Sequence, residues 1–209
     1  MGRKFKGYTM KKLIALLSLL ILPVLTVTAQ TVWKADKAHS SVNFSVTHMV
    51  LSEVEGSFKD FDATLTTTKD DFSDMVIDAT IKTASINTGN DQRDTHLRSD
   101  DFLNAEKFPT ITFKSTKVEK TGDGSYNVSG YLTIRDSTKL VVLDTKFKGE
   151  QTAPWGTVAS GFKATTTIDR FQFGTKWNKM LEAGGLIAGK DVTITLLFEF
   201  DKQQNSNAK

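Results

Sequence analysis

Arg93, Asp94, His96, Arg98, Asp100 and Asp101 crowd one short stretch of the chain. A carboxylate, an imidazole and a guanidinium at that spacing could serve as base, acid and orienting group. A nucleophile to go with them is missing: the sequence has no Cys and no G-x-S-x-G elbow, and its serines fall mainly on strand surfaces or caps. A carboxylate pair for glycoside chemistry cannot be identified from spacing. His39, His48 and His96 lack a short paired spacing such as H-x-x-x-H, so no metal site is expected. Charge clusters more often serve structure than chemistry, which makes Arg93 and Asp94 ties that hold this stretch in place by salt bridges. Asp169 and Arg170, beside Phe171 and Phe173, face the same two readings. Arg170 either meets an anionic or polar ligand head or pairs with a carboxylate of the charged stretch.

The elements that position these residues are strands. Val42, Phe44, Val46 and His48 share one face, and Asn43, Ser45 and Thr47 the other, which is the pattern of a strand with one buried face. Val54, Gly56 and Phe58 continue the alternation, but Phe61, Ala63 and Leu65 fall in the opposite phase, so a bulge is expected near Lys59 and Asp60. Further strands run over Met75–Ile81, from Ile111, over Tyr126–Ile134, Leu140–Phe147, Val158–Ile168 and Val192–Phe200, with turns at Thr121–Gly124, Asp136–Thr138 and Ala153–Gly156. Gly174–Gly189 reads as non-strand, with a turn of helix near Trp177–Leu181.

The long interruption is Ile86–Ile111. It predicts two short helical turns, one over Asp91–Leu97 and one opened by Ser99 as N-cap, with Asp100 and Asp101 in its first turn. Phe108 and Pro109 end it, because a residue before proline is pushed out of the helical region. Eight antiparallel strands with short connections predict an all-β, eight-stranded antiparallel barrel, with the helical insert covering one end; a two-sheet sandwich is the alternative. Small residues at inward positions, Gly56, Ala63, Ala79, Gly130, Ser160 and Ala164, favour an elongated apolar cavity over a solid core. Phe44, Val46, Phe113, Leu132, Phe162, Ala164 and Ile194 are its expected lining. His48 is either a polar residue at the rim or a satisfied core histidine, and His39 opens the first strand.

The N-terminus has the order of a secretory signal peptide: basic residues to Lys12, an apolar run Leu13–Val27, then Thr28 and Ala29. The run is short for a membrane span and contains Pro23, so removal of residues 1–29 is expected, leaving a domain over 30–201 and a polar tail over 202–209. The leader carries five of the 27 Lys and Arg and none of the 24 Asp and Glu, so the remainder holds 22 against 24, a net charge of −2. The basic balance of the whole chain therefore belongs to the leader and argues for no nucleic-acid partner. Without Cys, the exported fold is held by core burial and closed hydrogen bonding rather than by disulfides.

From Trp33 to Phe200 the chain resembles the YceI-like family of exported lipid-binding proteins. The matching stretches, in order, are D-x-x-HSSVNFSVTH from Asp36, VEGSFKDFDA from Val54, NTGNDQRDTHLRSDDFLNAEKFPTITF from Asn87, GYLTIRDSTK from Gly130 and GFKATTTIDRFQFG from Gly161. Asp136 and Ser137 depart from the family pattern of Gly then an apolar residue, and the segment after Lys139 lacks the usual proline. The resemblance implies a lipocalin-like barrel, lidded by the insert, around a long apolar pocket. It implies no cofactor, but a polyisoprenoid, isoprenoid quinone or fatty-acid derivative as ligand, in the periplasm or outside the cell. Transient membrane contact and a homodimer are compatible with it. The alternative is an enzyme acting on a bound lipid, with the charged insert (Arg93, Asp94, His96) and Asp169–Arg170 at the pocket mouth as its site.

Overall fold

The alternating segments pair into one antiparallel sheet that closes on itself. The computed structural model describes residues 1–3, 30–182 and 184–204. The apolar run Leu13–Val27 and the cleavage position after Ala29 lie outside them. Among the described residues, eleven strand segments form eight staves, because three staves are each broken once. β1 (Thr31–Ala35) leads into β2 (Ser41–His48), and β3 (Ser52–Phe58) into β4 (Phe61–Thr67). β5 (Val76–Lys82) leads through a 3-10 turn (Thr83–Ser85) into β6 (Ile86–Asn87). The unbroken staves are β7 (Thr110–Gly122), β8 (Ser125–Ile134), β9 (Ser137–Thr152), β10 (Val158–Asp169) and β11 (Ala188–Lys202). Each stave pairs with its successor, and β11 closes the ring against β2 from Ala188 to Leu197 and against β1 through Trp33↔Lys202 and Ala35↔Phe200. Closure removes the exposed edges that a disulfide-free sheet would otherwise present.

The phase change at Lys59–Asp60 is a hand-over between partners rather than a bulge. Up to Phe58 the stave pairs with β6 (Phe58↔Ile86), and from Phe61 with β5 (Phe61↔Ile81). Between them the Lys59 amide donates to Ser85 O, the Asp60 amide to Ser85 Oγ, and Asp60 O accepts from Lys82 N. The extra 3-10 residues in the partner make room for this without unpaired backbone. Bulges instead sit opposite Gly161/Phe162 and between Ser115 and Lys117. The β8–β9 turn is one residue tighter than expected: Ile134 faces Ser137 across Arg135 and Asp136, with Arg135 at φ 57°.

One end of the barrel is filled. The loop between β4 and β5 drives Phe72, at φ 56°, inward against Trp33, Phe147 and Phe162, with ring centroids 5.2 to 5.6 Å apart. The Asp74 carboxylate pins this loop by accepting from the Thr67 and Thr68 hydroxyls and from the Thr68 amide. Although burial opposes it, these bonds hold the Asp74 pKa down to about 2. The Tyr126 hydroxyl adds a bond to Asp71 O.

The other end is covered by the insert. A single helix, α1 (Asp91–Arg98), forms there, capped by Asn90 Oδ1, which accepts from Arg93 N at 2.9 Å. The second helical turn expected from Ser99 does not form. Ser99 is the C-cap of α1 and its hydroxyl donates to His96 O, while the amides of Leu103, Asn104 and Ala105 fold back onto Leu97 O, Ser99 O and Arg98 O. The carbonyls left open at the end of α1 are thereby satisfied by a tight loop. The expected helix near Trp177–Leu181 is also absent. The Lys176 and Trp177 amides both donate to Asp101 O, so the segment after the 3-10 turn Arg170–Phe173 is bonded to the insert as an irregular strap. At the far end, the ladder passes the expected domain limit at 201: Lys202 pairs with Trp33, and Gln203 N donates to Val32 O.

Candidate functional site

Between the aromatic floor and the insert, the barrel encloses an apolar cavity of about 400 Å³. Inward alternation brings Phe44 and Val46 of β2, Phe113 of β7, Leu132 of β8, Phe162 and Ala164 of β10 and Ile194 of β11 to its wall. His48 lines it too, half-buried at the rim where β2 meets Ala188, which decides between its two readings. The insert covers the cavity as expected, through Leu97, Phe102 and Leu103, but the strap was not foreseen as part of the roof: Trp177 and Ile187 also face the cavity. Their apolar character inside polar, non-strand segments was the available signal.

The small residues expected to create the space divide into two groups. Ala63, Ala79 and Ala164 do border it, Ala63 and Ala79 as direct partners across β4 and β5. Gly56 and Gly130 do not, because aromatic rings lie on them. A Cβ at Gly56 would stand 2.3 Å from Phe44 Cζ, and one at Gly130 would stand 2.4 Å from Phe113 Cζ and 2.6 Å from Lys114 O. Ser160 is fully buried, and its hydroxyl donates to Glu150 away from the cavity wall. Nor does Phe162 have open room on either side. Phe72, Phe147 and Phe200 surround its ring, so it belongs to the floor.

At the mouth, Arg93 and Asp94 converge on one residue, Thr88. The buried Asp94 carboxylate accepts from Thr88 N at 2.9 Å and Thr88 Oγ1 at 2.6 Å, while Arg93 Nε donates to Thr88 Oγ1 at 2.7 Å and its amino group to Thr88 O at 3.0 Å. These are hydrogen bonds that lock the start of the insert, in place of the salt bridges to the barrel that the charge pattern suggested. His96 turns away from them. Its Nε2 lies 2.9 Å from Asp101 Oδ2, and its ring stands edge-on to Phe102 and Trp177. The ion pairs that bind the insert to the barrel involve residues the sequence did not single out, Arg135 and Lys176, both on Asp100. These two partners, Lys176 first, hold the Asp100 carboxyl down to about 2.

Arg170 does not pair with a carboxylate of the insert. It is buried beneath the strap and bordering the cavity, where Nε donates to Gly189 O, its amino groups to Ala188 O, Trp177 O and Thr175 Oγ1, and its plane lies over Phe171. Burial pushes its pKa down, with Asp169 opposing. A guanidinium remains charged under those conditions, and the carbonyls replace its hydration. Asp169 caps the 3-10 turn by accepting from Phe171 N. The three histidines lie on three separate elements, and His39 is drawn to Asp36 and Glu199 at the β1–β2 corner, outside the cavity lining. Charged groups at the mouth are thus bonded to backbone and to one another, while the wall they surround is hydrocarbon. Such a site can withdraw an apolar chain from water, at roughly 0.8 kcal/mol for each CH2 buried.

Residues 33–200 match the model of the YceI-like domain. The chain is 40% identical over 166 residues to a UPF0312 protein of Staphylococcus aureus, covering 79% of this chain and 94% of that one. Among solved structures, the YceI protein of Campylobacter jejuni is similar with a TM-score of 0.64 and 33% identity, over 81% of this chain and 96% of that one. A polyisoprenoid binding domain from Saccharophagus degradans, implicated in plant cell wall breakdown, shares the fold with a TM-score of 0.62 at 13% identity, over 82% of this chain and 98% of that one.

Proposed function

Because the chain belongs to the YceI-like domain family, we propose that it is a carrier that holds one long-chain amphiphilic lipid inside the barrel. The ligand is of polyisoprenoid, isoprenoid-quinone or fatty-acid type. The observation that carries this reading is the cavity itself, about 400 Å³ of hydrocarbon-lined space under a hydrogen-bonded lid. That volume lies within the range of sites that bury most of a small ligand. The polyisoprenoid binding domain of the same fold supports an isoprenoid among the candidate chains. Holding the lid and strap, not turnover, is the role assigned to Arg93, Asp94, His96, Asp169 and Arg170, since their polar atoms are engaged there. The carrier acts outside the cytoplasm, released from its leader after Ala29.

Mass spectrometry of an organic extract of the purified protein tests the ligand. A long-chain lipid near one per chain is expected. Protein that carries none, and takes up none from added polyprenol, quinone or fatty amide, overturns the reading. The intact mass of protein from the cell envelope or medium tests export: it should begin at Gln30, and a species retaining Leu13–Val27 would exclude release.

A further inference from the structure

The tip of the β2–β3 hairpin is built from residues that fold stability alone would not choose. Met49 and Val50 both hold positive φ, 52° and 62°, a region that Gly and Asn enter readily and a β-branched residue does not. Turn chemistry would favour Asn or Gly here. Instead Met49, Val50 and Leu51 project outward, Val50 being 70% and Leu51 85% exposed. Met180, also exposed, lies on the strap, bridged to Leu186, and the strap meets the tip through Met49 N donating to Ile187 O at 2.8 Å and at Gly185, where a Cβ would stand 3.5 Å from Val50 Cγ2. The neighbours of the patch on both elements, His48, Ile187 and Ala188, line the cavity. The apolar surface is therefore continuous with the cavity mouth. Flanking residues carry both signs, Glu53 and Glu182 against Lys179, so the patch has no single charge to match an acidic or basic partner.

We propose that Met49, Val50, Leu51 and Met180 form a shallow insertion surface that seats the barrel mouth on a lipid bilayer, where the cavity exchanges its chain. This rests on the carrier reading. A long apolar chain has negligible solubility in water, so its donor and acceptor are membranes, and the element beside the mouth must tolerate the headgroup region. A few exposed aliphatic side chains give weak, reversible adsorption, as exchange requires. Because the attraction is apolar, it should persist at high salt.

The test uses the leader-free protein, vesicles of phosphatidylethanolamine and phosphatidylglycerol, and a dansyl-labelled polyprenol as probe. Wild-type protein should float with vesicles at low and high salt and pass the probe to them. V50D/L51D should lose flotation and transfer the probe about tenfold more slowly or worse, yet retain preloaded probe as well as wild type, since neither residue contributes to the wall. M49N/V50G, whose residues suit the backbone, should melt at a higher temperature and also lose flotation, which separates docking from folding. Wild-type protein that does not float, variants that float and transfer like wild type, or a patch whose only measurable effect is self-association in ultracentrifugation would each overturn the proposal. If no form holds the probe in solution, the carrier reading fails instead, and flotation still reports on the patch.

Discussion

Asp100 of the insert and Arg135 of the β8–β9 turn clasp each other twice: one Arg135 amino group donates to Asp100 Oδ1 at 2.9 Å, the other to Asp100 O at 2.8 Å. That second amino group also reaches Phe102 O at 2.6 Å, so a side chain only 7% exposed fixes the lid at the point where Phe102 meets the cavity. Arg135→Met should leave both carbonyls without their donor and cost about 1–3 kcal/mol of stability. Release of a bound probe should accelerate more than the change in melting temperature alone would give, because the clasp acts on the lid. Dissociation kinetics and thermal melting on the same sample check this.

The Asp100 carboxyl gives the clasp a pH signature. Its folded pKa is depressed to about 2 by Lys176 and then Arg135, so its contribution is present above the ordinary carboxylate value of about 4 and disappears as pH falls toward 2. Melting curves of wild type and Asp100→Asn should therefore differ at neutral pH and converge between about pH 4 and pH 2. A difference unchanged across that window would show that the carboxylate charge contributes nothing.

Asp94 anchors the other end of the insert. Asp94→Ala leaves the Thr88 amide and hydroxyl without their acceptor in a buried setting, and about 1–3 kcal/mol of destabilisation is expected. Asp94→Asn, which keeps an acceptor oxygen, should cost less. Denaturant unfolding of both variants measures the difference. A variant of full stability that had lost a measurable turnover would favour the enzyme reading.

Ala164 tests the space. It borders the cavity on β10 between Thr145 and Leu196, so in Ala164→Trp the indole should enter ligand volume, reducing lipid content while the barrel still folds. A packed site would resist the same change at about 1–3 kcal/mol. Melting temperature and lipid content measured on one preparation separate the outcomes: strong destabilisation with undiminished lipid in the folded fraction would place the cavity elsewhere.

Alternation along each segment was enough to determine eight staves, their inward faces and the lining from Phe44 to Ile194, because side-chain direction in a strand follows from neighbours one and two residues away. The insert was legible as a cover for the same local reason, an apolar-bearing interruption in a barrel sequence. Its bonding was not. Asp100 finds Arg135 and Lys176 from distant parts of the chain, and Arg170 finds backbone carbonyls in place of an insert carboxylate. The same limit governs the cavity. Gly56 and Ala164 are both small and both inward in sequence, yet a Phe44 ring lies on the first while space remains beside the second. Whether a small side chain leaves a void or receives a neighbour depends on which residue stands beside it on the paired strand, Phe44 opposite Gly56 across β2–β3 but Thr145 and Leu196 opposite Ala164, and that pairing and register are set between segments and not within one.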